Sequence, residues 1–113
     1  MNELSEFVAK FGSRRLLVVG DLMLDRYVVG DAARVSPEAP VLVLNTDEQD
    51  ERPGGAASVA AIVRGLGAQV ALAGVLGHDA HGERLRKIHV QRDIDDRLVV
   101  CDDTRPTTTK QRF

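Results

Sequence analysis

Arg15-Leu-Leu-Val-Val-Gly-Asp-Leu-Met-Leu-Asp25 is the stretch that decides the fold of this chain. Its first half is a short, β-branched apolar run, which is typical of a buried strand in a parallel sheet. Its second half places Asp21 and Asp25 directly after that strand. Ligands bind beyond the carboxyl ends of such strands, where a carboxylate accepts hydrogen bonds from two hydroxyl groups at once. The alternative is that each aspartate only caps a turn.

Strand and helix signals alternate outward from this stretch. Leu4, Phe7 and Phe11 lie on one stripe of a helix that Gly12 ends. The predicted helices cover residues 4–11, 56–66 and 79–92, and the predicted strands cover 15–20, 27–29, 41–44, 69–76, 97–101 and 107–113. Because two prolines lie in 36–40, the strands beside them are expected at a sheet edge or in a flap. This alternation predicts an α/β fold with a doubly wound, mainly parallel sheet.

The composition excludes several classes of protein. A net charge of −2 and a pI near 5.9 argue against a basic face that tracks a nucleic-acid backbone. The single cysteine, Cys101, excludes an internal disulfide and fits a reducing compartment. No apolar run has the length of a signal-peptide core or of a membrane span. The sequence therefore predicts a cytoplasmic protein that binds neither nucleic acid nor membrane.

The glycine pair Gly54-Gly55 stands directly before the second predicted helix. Glycines let backbone N–H groups approach a ligand closely, and the amino end of a helix favours anions or polar oxygens. A simple turn is the alternative. The sequence contains neither GxGxxG nor GxxxxGK[ST], so the pair is not part of a dinucleotide fingerprint or a P-loop.

Two further groups of residues invite a binding interpretation. His78, Asp79 and His81 suggest a metal, but no further ligand is evident, and an Asp before a helix usually caps it; we therefore assign no metal ligand. The candidate anion contacts are Arg34, Arg52, Arg105, Lys110 and Arg112. Of these, Arg52 and Lys110 stand out because one precedes the glycine pair and the other lies in the last predicted strand. The alternative is that these cations contact only water.

Taken together, these segments resemble the ribokinase-like carbohydrate kinases, and in particular the D-glycero-β-D-manno-heptose-7-phosphate kinases of ADP-heptose biosynthesis, which makes a lipopolysaccharide core precursor. The resemblance covers nearly the entire chain, in the order and approximate spacing of the family. The matching segments are Val18-Val-Gly-Asp-Leu-Met-Leu-Asp-Arg-Tyr27, Arg34-Val-Ser-Pro-Glu-Ala-Pro40, Arg52-Pro-Gly-Gly-Ala-Ala57 and Pro106-Thr-Thr-Thr-Lys110.

The resemblance implies a role for each matching position. Asp25 matches the aspartate that binds substrate hydroxyls, and Gly54 and Gly55 match the glycines that line the sugar pocket. Lys110 lies in a segment near the substrate. Strands within about 27–50 match a small β lid, through which many members form homodimers. Residues 1–113 thus correspond to the N-terminal part of a ribokinase-like kinase domain.

The chain also departs from the family pattern. Ser58 stands where the family usually has Asn, and its single hydroxyl on a shorter arm offers a weaker contact to the sugar. Asp93 replaces a common glycine, and Asp tolerates a left-handed backbone. The family's catalytic base, glycine-rich anion hole and ATP pocket lie in a part that this sequence lacks, so we expect no catalytic residue in this chain. ATP and Mg²⁺ are expected of the full-length family, and neither is expected to be held by this chain alone.

Three functions are consistent with these residues. The main hypothesis is a kinase that uses ATP to phosphorylate heptose 7-phosphate at C1, in which this chain supplies the substrate-binding part. The second is a non-catalytic module that binds sugar phosphate or forms dimers. The third, a nucleotide-binding regulatory domain, is disfavoured by the missing phosphate loop. We also expect self-association, because a partial sheet exposes an edge and an apolar face.

Overall fold

The computed structural model describes residues 2–35 and 42–113, with side chains described for 2–29 and 50–113. In chain order the elements are α1 (Glu3–Ala9), a 3₁₀ turn (Phe11–Ser13), β1 (Arg15–Val19), β2 (Leu22–Val35), β3 (Leu42–Gly55), α2 (Ala56–Gly65), β4 (Gln69–Gly77), α3 (Ala80–Gln91), β5 (Asp95–Asp102) and β6 (Thr108–Arg112). In this part of the chain the strands form two sheets, ordered β1-β4-β5 and β3-β2-β6. The predicted α/β class is confirmed.

Sheet A, which comprises β1, β4 and β5, is parallel throughout. Both crossovers advance the chain in the same direction across the sheet, so right-handed connections bring α2 and α3 to the same face. That face forms the core, which buries Leu72 and Leu76 of β4 against Ala60 of α2 and Leu85 of α3. Val70 and Val99 extend the same layer. The core therefore lies on one side of sheet A.

The opposite face of sheet A is apolar and exposed. The side chains of Leu17, Val19, Leu98 and Val100 are 55–70% exposed, and Val75 is 36% exposed. The expectation that β1 is a buried strand is therefore wrong in the structure as described. β1 lies at the edge of the sheet, and the two helices that pack on sheet A cover only the other face.

This exposed face leads us to expect that the 113-residue chain self-associates, because removing large apolar side chains from water is favourable. Replacing Leu98 and Val100 together with Lys should shift the chain towards monomer in sedimentation velocity. Leu4→Lys, which changes an exposed residue of α1, is the matched control and should leave association unchanged. A wild-type chain that is a monodisperse monomer and melts cooperatively would contradict this expectation.

Sheet B, which comprises β3, β2 and β6, has β2 at its centre. β2 pairs with β3 antiparallel and with β6 parallel. The prediction placed 27–29 at an edge or in a flap. The observed strand begins earlier, at Leu22; it is paired on both sides from Met23 to Tyr27 and with β3 alone from Val28 onward. Its residues alternate: Leu24 and Val28 are buried towards the core, and Asp25 and Tyr27 lie on the opposite face. The described residues do not include Pro37 and Pro40, on which that prediction rests, or Val41.

The first helix forms where it is predicted, but its apolar stripe is not buried. Asn2 caps α1 by accepting a hydrogen bond from the Ser5 amide at 2.9 Å. Leu4 and Phe7 are 74% and 57% exposed, and Phe11 contacts the core instead from the following turn. None of the helices in the described ranges is long and apolar enough to cross a membrane.

Two cap positions behave as the sequence predicts. Asp79 caps α3, with its Oδ1 accepting from the Gly82 amide at 2.8 Å. Asp93, which follows α3, adopts a φ of 57°, a left-handed conformation that Asp tolerates better than most residues. The replacement of glycine at this turn is therefore accommodated.

His89 of α3 is a fully buried ring in the core. Its Nδ1 lies 3.3 Å from Asp96 Oδ2, which also accepts from Arg86 Nη1 at 3.2 Å. Nε2 has no hydrogen-bond partner among the described residues. Burial lowers the pKa of His89, with the neighbouring Asp96 opposing that shift. The ring is therefore neutral in the folded chain at neutral pH, and its Nδ1–H donates to Asp96.

We expect this ring to make folding sensitive to mild acid. The folded pKa of His89 lies below the unfolded value of about 6.5. Between these two pKa values the unfolded chain therefore binds more protons than the folded chain. The stabilisation is complete above about pH 6.5 and is lost as the pH falls through the folded pKa. Urea unfolding between about pH 7.5 and 5.5 should show this loss for the wild type and for His78→Leu, but not for His89→Leu. An unchanged pH dependence in His89→Leu would disprove the assignment.

Candidate functional site

The carboxyl end of β1 leads into a turn that only glycine can complete. The Ala56 amide donates to the Asp21 carbonyl at 2.8 Å, which ties the start of α2 to the loop after β1. Gly55 between them has a φ of 58° and a ψ of −132°. A Cβ at this position would lie 2.3 Å from the Asp21 carbonyl oxygen. Gly55 is therefore required by the turn, in which Asp21 acts through its backbone.

Asp25 lies directly against the first glycine of the pair. A Cβ added to Gly54 would lie 3.0 Å from the carboxylate carbon and from both carboxylate oxygens of Asp25. The glycine thus leaves the space that the carboxylate occupies. Gly55 caps α2 without a side-chain hydrogen bond, so no side chain of the cap covers the first-turn amides. The structure therefore brings Asp25, Gly54 and Gly55 together at the carboxyl end of β1.

Charged side chains share the face of sheet B that carries Asp25. Residues paired across neighbouring strands point to the same face, and Asp25 pairs with Arg52 on one side and Lys110 on the other. Tyr27, two residues further along β2, pairs with Asp50 and Arg112. We call this set the polar face of sheet B. Its members are Asp25, Tyr27, Asp50, Arg52, Lys110 and Arg112.

The tyrosine ring is the centre of this polar face. The guanidinium carbon of Arg52 lies 5.0 Å from the ring centroid, and that of Arg112 lies 5.7 Å from it. Both distances fit cation–π contacts. The sequence marks Arg112 as a candidate anion contact together with Arg52 and Lys110, but it does not connect Tyr27 to them. The period-two spacing of Asp25 and Tyr27 was the available signal, and the strand pairing that completes it is not visible in the sequence.

Ser58 is placed differently from the other predicted site residues. Its side chain is half-buried in α2, and it lines a shallow cleft with Arg52, Pro53 and Ile62. The lining of that cleft does not include Asp25 or Lys110. Ser58 therefore lies at the margin of the polar face, where it shares this cleft with Arg52.

A further cavity lies at the opposite edge of sheet A, where the parallel strands begin. It measures about 580 Å³ and includes Arg64 and Arg97 in its lining. Arg64 pairs with Asp93 and Arg97 with Asp95, each at 2.7 Å. The site at the carboxyl ends has the stronger claim to a ligand, because ligands of parallel α/β sheets bind beyond the carboxyl ends of the strands.

A hydrogen-bond network fixes β6 beside the site. Asp79 accepts from the Thr107 hydroxyl at 2.6 Å and from the Thr107 amide at 2.8 Å. These bonds, with the hydroxyl bond first, lower the pKa of Asp79. The Thr107 hydroxyl in turn accepts from the Gly77 amide at 2.9 Å. The network anchors the strand that carries Lys110.

The histidines near this network have separate partners. His78 Nδ1 lies 2.9 Å from Asp103 Oδ1, and His81 Nδ1 lies 3.0 Å from the Thr109 hydroxyl oxygen. Among the side chains described, those of residues 2–29 and 50–113, no three from His, Cys, Asp or Glu are grouped so as to hold a metal ion. The described residues therefore assign no Mg²⁺ ligand.

The fold is a ribokinase-like α/β fold, and Asp25, Gly54 and Lys110 lie together on one part of it. The model of the pfkB family carbohydrate kinases matches residues 13–113, and the chain belongs to that family. The fold agrees with a putative ribokinase from Agrobacterium tumefaciens, with a TM-score of 0.69 and 22% identity over 87% of this chain and 31% of that one.

Two relatives are more similar in sequence than this solved structure. The chain is 53% identical over 98 residues to the bifunctional protein HldE of Methylobacillus flagellatus, covering 87% of this chain and 20% of the relative. It is 49% identical to the D-beta-D-heptose 7-phosphate kinase of Bordetella bronchiseptica, covering 87% of this chain and 31% of the relative. The chain thus spans a fifth to a third of the length of these relatives.

Proposed function

We propose that this chain is the substrate-binding part of a kinase that transfers phosphate from ATP to the C1 hydroxyl of heptose 7-phosphate. The observation that carries the proposal is the Asp25 carboxylate seated against Gly54 at the carboxyl end of the first parallel strand. The heptose names of the relatives support the choice of sugar. The product, a heptose 1,7-bisphosphate, belongs to ADP-heptose synthesis, which we place in the cytoplasm.

The proposed roles follow from the chemistry of each group. Asp25 accepts hydrogen bonds from two sugar hydroxyls and fixes the orientation of the ring. The backbone of Gly54 and Gly55 approaches the sugar without an intervening side chain. Lys110 contributes positive charge from β6, and Ser58 is a weaker contact at the margin. These groups position the acceptor and orient its hydroxyl, and no general base is assigned to them.

None of these residues is assigned a role in binding the phosphate donor. ATP supplies the transferred phosphoryl group, and Mg²⁺ stabilises charge on it. The described residues present neither a phosphate-binding glycine loop nor a cluster of metal ligands, so we route no step through either group.

We further propose that residues 1–113 form the N-terminal part of the kinase domain and that the β2–β3 hairpin is its lid. The hairpin continues from the polar face along paired backbone as far as Val35 and Leu42. A lid in this place closes over a sugar held by Asp25 and excludes water from it. The same strands offer an edge for a second subunit, which gives a homodimer.

A non-catalytic module that binds sugar phosphate is the second candidate. The lack of a metal cluster in the described ranges favours it for this chain taken alone. A coupled assay of the purified 113-residue chain with ATP and heptose 7-phosphate separates the two, together with calorimetric titration of the sugar. ATP-dependent turnover would exclude the non-catalytic module, whereas sugar binding without turnover would favour it. Absence of sugar binding would reject both.

A further inference from the structure

We propose that Arg52 and Arg112, held over the Tyr27 ring, form an anion subsite that takes the phosphate group of the sugar substrate. This inference rests on the proposed function, because it names the part of the same site that distinguishes a sugar phosphate from a free sugar. The subsite lies on β3 and β6, the two strands that flank Asp25 and Tyr27 on β2.

The strand register fixes the distance between this subsite and the Asp25 carboxylate. Asp25 and Tyr27 are two residues apart on one face of β2, a rise of about 6–7 Å along a strand. A ligand of this length can bind Asp25 through its hydroxyls and place its far end over the tyrosine. A sugar with a terminal phosphate has this shape, with hydroxyls at one end and a dianion at the other.

The charge on this surface favours an anion. Arg52, Lys110 and Arg112 contribute three positive charges, and Asp25 and Asp50 contribute two negative ones. Among the described side chains, no carboxylate pairs with Lys110 or Arg112. The Tyr27 ring contacts both guanidinium groups without neutralising them, and a guanidinium group can form forked hydrogen bonds to phosphate.

Asp50 occupies the position that the phosphate is proposed to take on Arg52. Its Oδ2 accepts from Arg52 Nε at 2.8 Å and lies 2.7 Å from Nη2. These are the two nitrogens of one guanidinium edge, the edge that a phosphate oxygen would approach. Because both side chains are more than half exposed, the pair is weak and an incoming dianion can displace the carboxylate.

The test compares heptose 7-phosphate with unphosphorylated heptose by calorimetric titration of the 113-residue chain. We expect the wild type to bind the phosphorylated sugar more tightly than heptose. Arg52→Gln and Arg112→Gln should each reduce that preference by about 5- to 20-fold. The affinity for heptose should stay unchanged in both variants. Asp50→Asn should increase the preference by up to about 5-fold, because it removes the competing carboxylate. Arg97→Gln, at the opposite edge of the sheet, should change neither affinity.

The outcomes separate this inference from the proposed function. A preference for the phosphorylated sugar that survives both arginine variants would overturn the subsite, as would equal loss of both sugars. Inorganic phosphate provides a probe that needs no sugar: it should shift the Nε–Hε resonances of Arg52 and Arg112 but not that of Arg97. Those shifts without any sugar binding would uphold the anion subsite and reject the sugar assignment. Their absence, with no sugar preference, would overturn the subsite.

Discussion

Replacing Asp25 with alanine should weaken binding of heptose 7-phosphate about 10- to 100-fold. The carboxylate is the acceptor for sugar hydroxyls in this account, and a hydrogen bond to a charged group contributes about 1.5–3 kcal/mol. The carboxylate lies against the Gly54 backbone, so its loss removes a polar group without opening the apolar core. Calorimetric titration measures the change directly.

Two further variants make this result specific. Asp25→Asn keeps the shape of the side chain but loses its charge, and it should fall between the wild type and alanine. Asp95→Asn alters a carboxylate at the start of β5, at the opposite edge of the sheet, and should bind sugar like the wild type. Unchanged sugar affinity in a folded Asp25→Ala chain would remove the basis for the proposed site.

Replacing Gly55 with alanine should prevent or severely weaken folding. Its φ of 58° with a ψ of −132° is a backbone conformation that costs an ordinary residue about 1–3 kcal/mol. The added Cβ would in addition lie 2.3 Å from the Asp21 carbonyl oxygen, which is tied to the start of α2. Since that contact involves backbone, the connection from β3 into α2 must distort. The measurement is the urea midpoint, or the loss of a cooperative transition.

Gly65 provides the matched control within the helix that follows. A Cβ at this position meets nothing within 4 Å, and alanine is the better helix former by up to about 1 kcal/mol. Gly65→Ala should therefore have an equal or higher urea midpoint. If both alanine variants were equally stable, Gly55 would not have the structural role assigned to it.

Local patterns predicted most of the elements of this fold. The β-branched run after Arg15, the small-residue helix after Gly55 and the capping Asp79 each form what their chemistry indicates. They succeed because turns, caps and strand propensity depend on neighbouring residues. The family resemblance, and not local pattern, placed Asp25 and Gly54 in one pocket, and the structure brings the two residues together.

Burial and strand pairing could not be derived in the same way. The exposure of Val19 depends on which face of the sheet receives the helices, and that is a property of the whole topology. The length of β2 was underestimated because Gly and Asp within it weaken the strand signal, while pairing with β3 along its length overrides propensity. His89 escaped notice because its partners, Asp96 and Arg86, are linked only by the packing of α3 on β5.

The most direct test of the central claim is a map of where the ligand binds. Titrating ¹⁵N-labelled chain with heptose 7-phosphate should move the amide resonances of Asp25, Gly54, Gly55 and Lys110, on the carboxyl side of the first strand. Those of Arg64 and Arg97, which line the cavity at the opposite edge, should stay in place. Shifts confined to that opposite cavity, or none at saturating sugar phosphate, would contradict the account.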